Sequence, residues 1–140
     1  MMWLIYAFLS AIFAALVAIF AKIGLQDINA DLGTAIRTTI VLFFTWGIAI
    51  SRGTLKEIPE INSKTIIFLI LSGLATGLSW LFYFRAIQLG RVSQVVPVDK
   101  LSTVITIIFA ALILREKITL PIGIGIVLMT VGTIIVATAK

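Results

Sequence analysis

The sequence predicts an all-α membrane protein that crosses the bilayer five times, and three observations predict it. Charged residues make up 12% of the chain against 61% hydrophobic, and the mean hydropathy is +1.20. A soluble domain carries about 25% charge and roughly 45–50% apolar residues, so a surface with so little charge must face lipid rather than water. Five apolar stretches recur, each near the 20 residues or so that a helix needs to span the hydrocarbon. Runs such as IVLFF and IIFLIL do not alternate in polarity, as barrel strands would. Repetition with almost no polar face also argues against buried helices of a soluble protein. Five spans use roughly 100 residues, so 1–140 is expected to be a single membrane domain with short connections.

The first span is expected over 3–23 and carries no charge before Lys22. Trp3 and Tyr6 suit one membrane interface, and Lys22 can extend to the other. A secretory signal peptide would need a basic region ahead of its apolar core; here the first basic residue lies at the far end, so the segment is a membrane helix. Ser10, Ala14 and Ala18 recur every fourth position, a smooth stripe for a neighbouring helix. Asp27, Asn29 and Asp31 mark a turn before the second span, 32–50, which Arg37 interrupts early. The longest connection, 51–64, holds Arg52, Lys56, Glu57, Pro59, Glu60 and Lys64.

The third span, 65–88, contains Gly73 and Gly77 as a GxxxG pair, then Trp80, Phe82, Tyr83 and Phe84, with Arg85 near its end. Gly90 and Arg91 form a tight turn. The fourth span, 92–114, holds Pro97, Asp99 and Lys100 in its first half, followed by Ser102, Thr103 and Thr106. After the turn Arg115-Glu116-Lys117, Thr119 suits an N-cap and Pro121 the first turn of the fifth span, 119–137, with Gly123, Gly125 and Gly132 inside it.

The chain has no cysteine and no histidine. Disulfides, thiolate metal sites and catalytic triads built on histidine are therefore excluded, and neither an enzyme nor a bound cofactor is expected. Eleven Lys and Arg against six Asp and Glu give +5, which the positive-inside tendency explains without a nucleic-acid partner. With the N-terminus inside, Arg52, Lys56, Lys64, Arg115 and Lys117 fall inside and Lys22, Arg91 and Lys140 outside; Arg37 and Arg85 lie near that second face. This near-even tally allows insertion in both orientations. Five spans put the termini on opposite faces, so two units, one inverted, would make the inverted-repeat architecture of secondary transporters.

A charge inside the membrane costs about 2.5–3.5 kcal/mol on insertion scales, so Asp99 and Lys100 call for an explanation. They stand about 10 Å into their span at 1.5 Å per residue. Asp99, Ser102, Thr103 and Thr106 share one face of a continuous helix. Pro97 frees the carbonyl of Ser93, which predicts a bend just before the charges. A bent helix with a carboxylate suits a polar, hydrated path. The competing explanations are a salt bridge, for example Asp99 with Arg37, or Lys100 extending to the headgroups. Thr76, Trp80, Tyr83 and Ile87 share a face of the third span, where the rings offer π faces and polar tips to a ligand. The alternative for Tyr83 and Phe84 is an aromatic belt at the membrane surface.

The stretch FYFRAIQLGRVSQVVPVDKLSTVITIIFAALILREKIT, from Phe82 to Thr119, resembles the core pattern of the EamA family of the drug/metabolite transporter superfamily. Tyr83, Ala86, Gly90, Pro97, Glu116, Thr119, Gly125 and Gly132 carry the resemblance, and AKIGLQDINADLGTAIRTTIVLFF is similar to the family's first hairpin, including Arg37. Members usually carry two such units in ten helices. The resemblance therefore implies that this chain is one half of an inverted-repeat transporter, working as an antiparallel homodimer or with a paralogous five-helix partner. The last helix also resembles the dimerising helix of the small multidrug resistance proteins. Their proton-coupling glutamate in the first helix has no counterpart here, since no acidic residue precedes Asp27.

The expected function is export or transport of a small metabolite, such as an amino acid or another small polar or amphipathic compound, by alternating access in the cell membrane of a prokaryote. Asp99, Lys100, Trp80, Tyr83, Thr103 and Arg37 are the expected substrate contacts, and Gly73, Gly77, Gly125 and Gly132 the expected helix-packing and dimer positions. Two alternatives are a non-transporting subunit of a heteromeric flippase or transporter and a passive assembly factor; membrane-buried charges disfavour the latter.

Overall fold

A computed structural model describes residues 1–139; Lys140, counted above in the outside tally, lies outside the described residues. Five helical stretches are long and apolar enough to cross a membrane: Met2–Gly24 (α1), Ala30–Ser51 (α2), Ser63–Leu89 (α3), Val92–Ile113 and Leu120–Thr138 (α6). The chain is an all-α, multi-pass membrane protein. The fourth span is two helices, Val92–Asp99 (α4) and Leu101–Ile113 (α5). A bend was expected just before the charges; the break falls on them. Lys100 has φ −68° and ψ −10°, and Thr103 N bonds back to Lys100 O at 3.0 Å, the tighter three-residue step of a 3-10 turn. The connection expected to be a loop contains a 3-10 turn over Thr54–Glu60, entered through Gly53 at φ 70°, which a side chain would disfavour.

The chain divides into two compact units, one of Ala21–Gln88 and one of Met1–Phe20 with Leu89–Lys140. In the first, Asn29 caps α2: its side-chain oxygen accepts from Asp31 N at 2.7 Å, and Asp31 adds negative charge at the positive end of the helix. Leu25 is 5% exposed and lies against Gly33, where a Cβ would run into the Leu25 side chain. Threonine hydroxyls on α2 return to the backbone, Thr34 to Ala30 O at 2.7 Å and Thr38 to Thr34 O at 2.7 Å. Back-bonding of this kind gives a hydroxyl a partner where lipid offers none.

Lys22 does not simply extend to headgroups. Its Nζ donates to Ile87 O at 2.8 Å and Gln88 O at 3.3 Å, two of the carbonyls that the end of α3 leaves without helical partners. The Gln88 amide then donates to Leu25 O at 3.0 Å and Ile28 O at 2.7 Å. Lysine and glutamine together pin the 25–29 link to the end of α3. This matters because it fixes the register at which α2 leaves the link beside α3.

In the second unit, α4 and α5 pack on α6. Gln94 donates to Ala139 O at 2.7 Å, closing the end of α6, and Thr133 donates to Pro97 O at 3.3 Å. Thr119 holds the N-cap position of α6 with extended backbone, without a side-chain cap bond, and Pro121 stands in the first turn. Arg115 turns the chain with φ 57°. The buried residues of this unit are Ala18 and Thr133; those of the other are Leu25, Ala30, Thr34, Phe84 and Ile87.

Candidate functional site

Two groups of polar and charged residues within the spans stand out, one in each unit. The first is built on α2 and α3. Arg37 stands seven residues from the start of α2, about 10 Å along its axis. Its guanidinium lies over the Trp80 ring at 4.4 Å and over the Phe84 ring at 4.8 Å. Both distances fall within the range in which a ring's negative face attracts a cation. Trp80 and Phe84 are four residues apart and so occupy one face of α3; Gln88, another four on, continues that face to the link.

Energetics explain why arginine tolerates this place. Insertion of a charge at mid-span costs about 2.5–3.5 kcal/mol, and a desolvated cation–π contact returns about 2 kcal/mol or more, so two rings offset most of the cost. They cannot supply hydrogen bonds. The Nη1 atom of Arg37 is buried and has no hydrogen-bond partner among the described residues. Such a donor is uncommon in folded proteins and asks for an acceptor.

The aromatic arrangement differs from the expected one. Phe84 is 2% exposed, which removes it from a lipid-facing belt and places it with Trp80 against Arg37. Tyr83 is half-buried and stands edge-on to Phe84, with ring centres 5.4 Å apart. Phe84 is the residue that sequence reasoning missed. Its four-residue step from Trp80 was the available signal, overlooked in favour of the face through Thr76, Trp80, Tyr83 and Ile87.

The second cluster is the break in the fourth span. Asp99 ends α4 and pairs with Lys100, its neighbour in sequence, at 3.8 Å. The side chains are 34% and 53% exposed respectively, so the pair is open rather than enclosed by the chain. Thr103 and Thr106 stand exposed on α5. Because the helix breaks at Lys100, the single face through Asp99, Ser102, Thr103 and Thr106 is interrupted. Thr133, from α6, is the second residue the sequence did not mark: buried at 8% exposure, its hydroxyl serves the Pro97 carbonyl beside the break. Among the described residues, no three metal-ligating side chains gather.

The glycines complete the inventory. A Cβ built at Gly73, Gly77, Gly125 or Gly132 would meet nothing within 4 Å. These small faces are open within the chain.

A family comparison bears on this combination of a broken span, an aromatic-held arginine and five helices: the model of the EamA-like transporter family matches residues 1–138. The chain belongs to the EamA-like transporter family. As a member, it is a membrane transporter whose setting is the lipid bilayer and whose cargo class is small molecules. An uncharacterized transporter in the cobO 3' region of Sinorhizobium sp. is 46% identical over 135 residues, covering 96% of each chain. An uncharacterized protein of Methanocaldococcus jannaschii is 32% identical over 85 residues, covering 61% of this chain and 62% of its own. No solved structure matches the chain. The family pattern spans both clusters, since Arg37, Trp80, Tyr83, Asp99, Lys100 and Thr103 all lie within the matched residues.

Proposed function

We propose that this EamA-like chain transports a small polar or amphipathic metabolite by alternating access as an antiparallel homodimer, with residues 1–140 acting as one membrane domain. The observation that carries the reading is the interruption of the fourth span at Asp99 and Lys100, about 10 Å from its start. A charged pair at a helix break is costly unless it meets water or a polar solute, and transporters build their sites from discontinuous helices of this kind. Asp99, Lys100 and Thr103 are the proposed substrate contacts in one unit, and Arg37, Trp80 and Tyr83 in the other. A paired acid and base suits a zwitterion such as an amino acid.

Two features support the dimer. Five spans place the two ends of the unit on opposite faces, and pairing with an inverted second copy gives the ten helices of an inverted repeat. The open glycine positions, Gly73 and Gly77 on α3 and Gly125 and Gly132 on α6, provide the small surfaces on which membrane helices approach closely.

The experiment uses the natural absence of cysteine. Single cysteines at positions 1 and 140, labelled with a membrane-impermeant thiol reagent from each face, should each react from both sides. Labelling of each position from one face only would overturn the antiparallel arrangement. A purified chain that fails to self-associate and pairs with a different five-helix protein would favour the heteromeric subunit instead.

A further inference from the structure

The arginine–aromatic cluster carries a statement about cargo chemistry, which as a statement about cargo rests on the transport reading above. We infer that Arg37 is the anchor for an anionic oxygen, a carboxylate or a phosphate, presented to the bundle by a bound compound. The guanidinium plane is held by ring faces, Trp80 at 4.4 Å and Phe84 at 4.8 Å. Ring faces satisfy the cation's charge in part and offer its N–H groups no acceptor. Nη1 on that edge is buried and without a partner among the described residues.

Two hydroxyls near Arg37 on its own helix are already committed to the backbone. The hydroxyls of Thr34 and Thr38, three residues before Arg37 and one after, each donate to a backbone carbonyl of α2. Asp31 sits in the first turn of α2 at the Asn29 cap.

A buried, positively charged donor selects its acceptor. A neutral carbonyl would complete the hydrogen bond and leave the charge uncompensated, whereas an anionic oxygen does both, through the shorter and stronger charge-assisted bond. Arginine rather than lysine serves here because only a planar guanidinium stacks on two rings and still presents N–H groups at its rim. The rings also make the site amphipathic, so an anion carrying a hydrophobic body fits better than a bare inorganic ion.

The test reads Trp80 directly. Trp3 and Trp46 are 69% and 48% exposed, so a Trp3→Phe, Trp46→Phe variant leaves Trp80 as the sole tryptophan beside Arg37. In phosphate-free maltoside micelles, pentanoate, inorganic phosphate and pentanamide are titrated against Trp80 emission, and phosphatidylglycerol is added in a separate arm. Saturable shifts with pentanoate or phosphate identify a soluble carboxylate or phosphate as the source of the anion. A shift with phosphatidylglycerol alone identifies a lipid headgroup. In each case Arg37→Gln should weaken binding by about tenfold or more, and Arg37→Lys by less, because it keeps the charge and loses the stacked plane. Should Arg37→Gln fail to fold, Arg37→Lys carries the comparison. An equal response to pentanamide, a response unchanged in Arg37→Lys and Arg37→Gln, or no saturable response to any anion would overturn the inference; the last is also the result if an acidic group of a second copy occupies Arg37. Arg37-dependent binding without flux in proteoliposomes would leave the anion site standing and sink the transport reading. Flux of a compound that lacks any anionic group, unchanged in Arg37→Gln, would do the reverse.

Discussion

Thr133 donates its hydroxyl to the carbonyl of Pro97 at 3.3 Å, so the last span holds the fourth one turn before its break. A carbonyl next to a proline-bearing break inside a membrane has few other partners, since lipid offers none. Thr133→Val, which keeps the shape and removes the donor, should lower stability by about 0.6 kcal/mol and at most about 1.7 kcal/mol, the range of interhelical hydrogen bonds in membranes. Thr133→Ser should restore it. Reversible unfolding in mixed micelles measures both, and an unchanged midpoint for Thr133→Val would show the bond to be idle.

Lys22 and Gln88 form the corresponding tie in the other unit, with bonds of 2.8 Å to Ile87 O and 2.7 Å to Ile28 O. Hydrogen bonds made by charged groups are worth about 1.5–3 kcal/mol. Lys22→Met should therefore speed local opening of the 25–29 link by about tenfold or more, read as amide exchange or protease cutting there, with the spans still helical. Gln88→Leu should act in the same direction and less strongly.

Arg37 and Trp80 should couple energetically. A double-mutant cycle of Arg37→Gln and Trp80→Leu in unfolding experiments should give an interaction of about 0.5–2 kcal/mol. Phe84→Leu paired with Arg37→Gln should give a comparable value, because the second ring is only 0.4 Å farther from the guanidinium, 4.8 Å against 4.4 Å. Coupling near zero in both cycles would mean that the stack contributes nothing to the folded protein.

Asp99→Asn and Lys100→Met separate function from stability. The pair is open to its surroundings at 34% and 53% exposure and joins two neighbours in sequence, so each variant should fold and run as the parent on gel filtration. Transport by the purified protein should fall by about tenfold or more if the pair meets substrate, the scale of a lost charge-assisted bond. Unchanged flux in both variants would remove Asp99 and Lys100 from the substrate path.

Gly125→Leu and Gly132→Leu probe the open face of α6. A Cβ at either position meets nothing within 4 Å in the chain, so the single copy should tolerate the change. Self-association, measured by energy transfer between labelled copies, should weaken if this face receives a second helix, because leucine holds the two backbones apart. Unaltered association would move the interface elsewhere.

The five spans were legible because length and hydropathy alone decide whether a segment dissolves in lipid. Their observed ends lie within a few residues of expectation: α1 reaches Gly24, and α3 runs from Ser63 to Leu89. Asn29 was readable only as part of a turn, because capping depends on backbone angles that composition does not reveal. The break at Lys100, rather than before Asp99, was legible in kind from Pro97 and displaced in place. The 3-10 turn over Thr54–Glu60 left no pattern that separates it from a charged loop.

Composition and order alone establish that this protein lives in a bilayer, that it crosses it five times, that a proline and two charges fall inside its fourth crossing, and that histidine and cysteine chemistry is closed to it. Each of these follows from what residues are, and hydrocarbon judges residues one at a time. The folded chain alone reveals that Phe84 joins Trp80 on Arg37, that Lys22 turns onto the end of α3, and that Thr133 answers the Pro97 carbonyl. Those are pairings between distant positions, and a hydrogen bond or a stacked ring depends on where two groups meet, which no local pattern specifies.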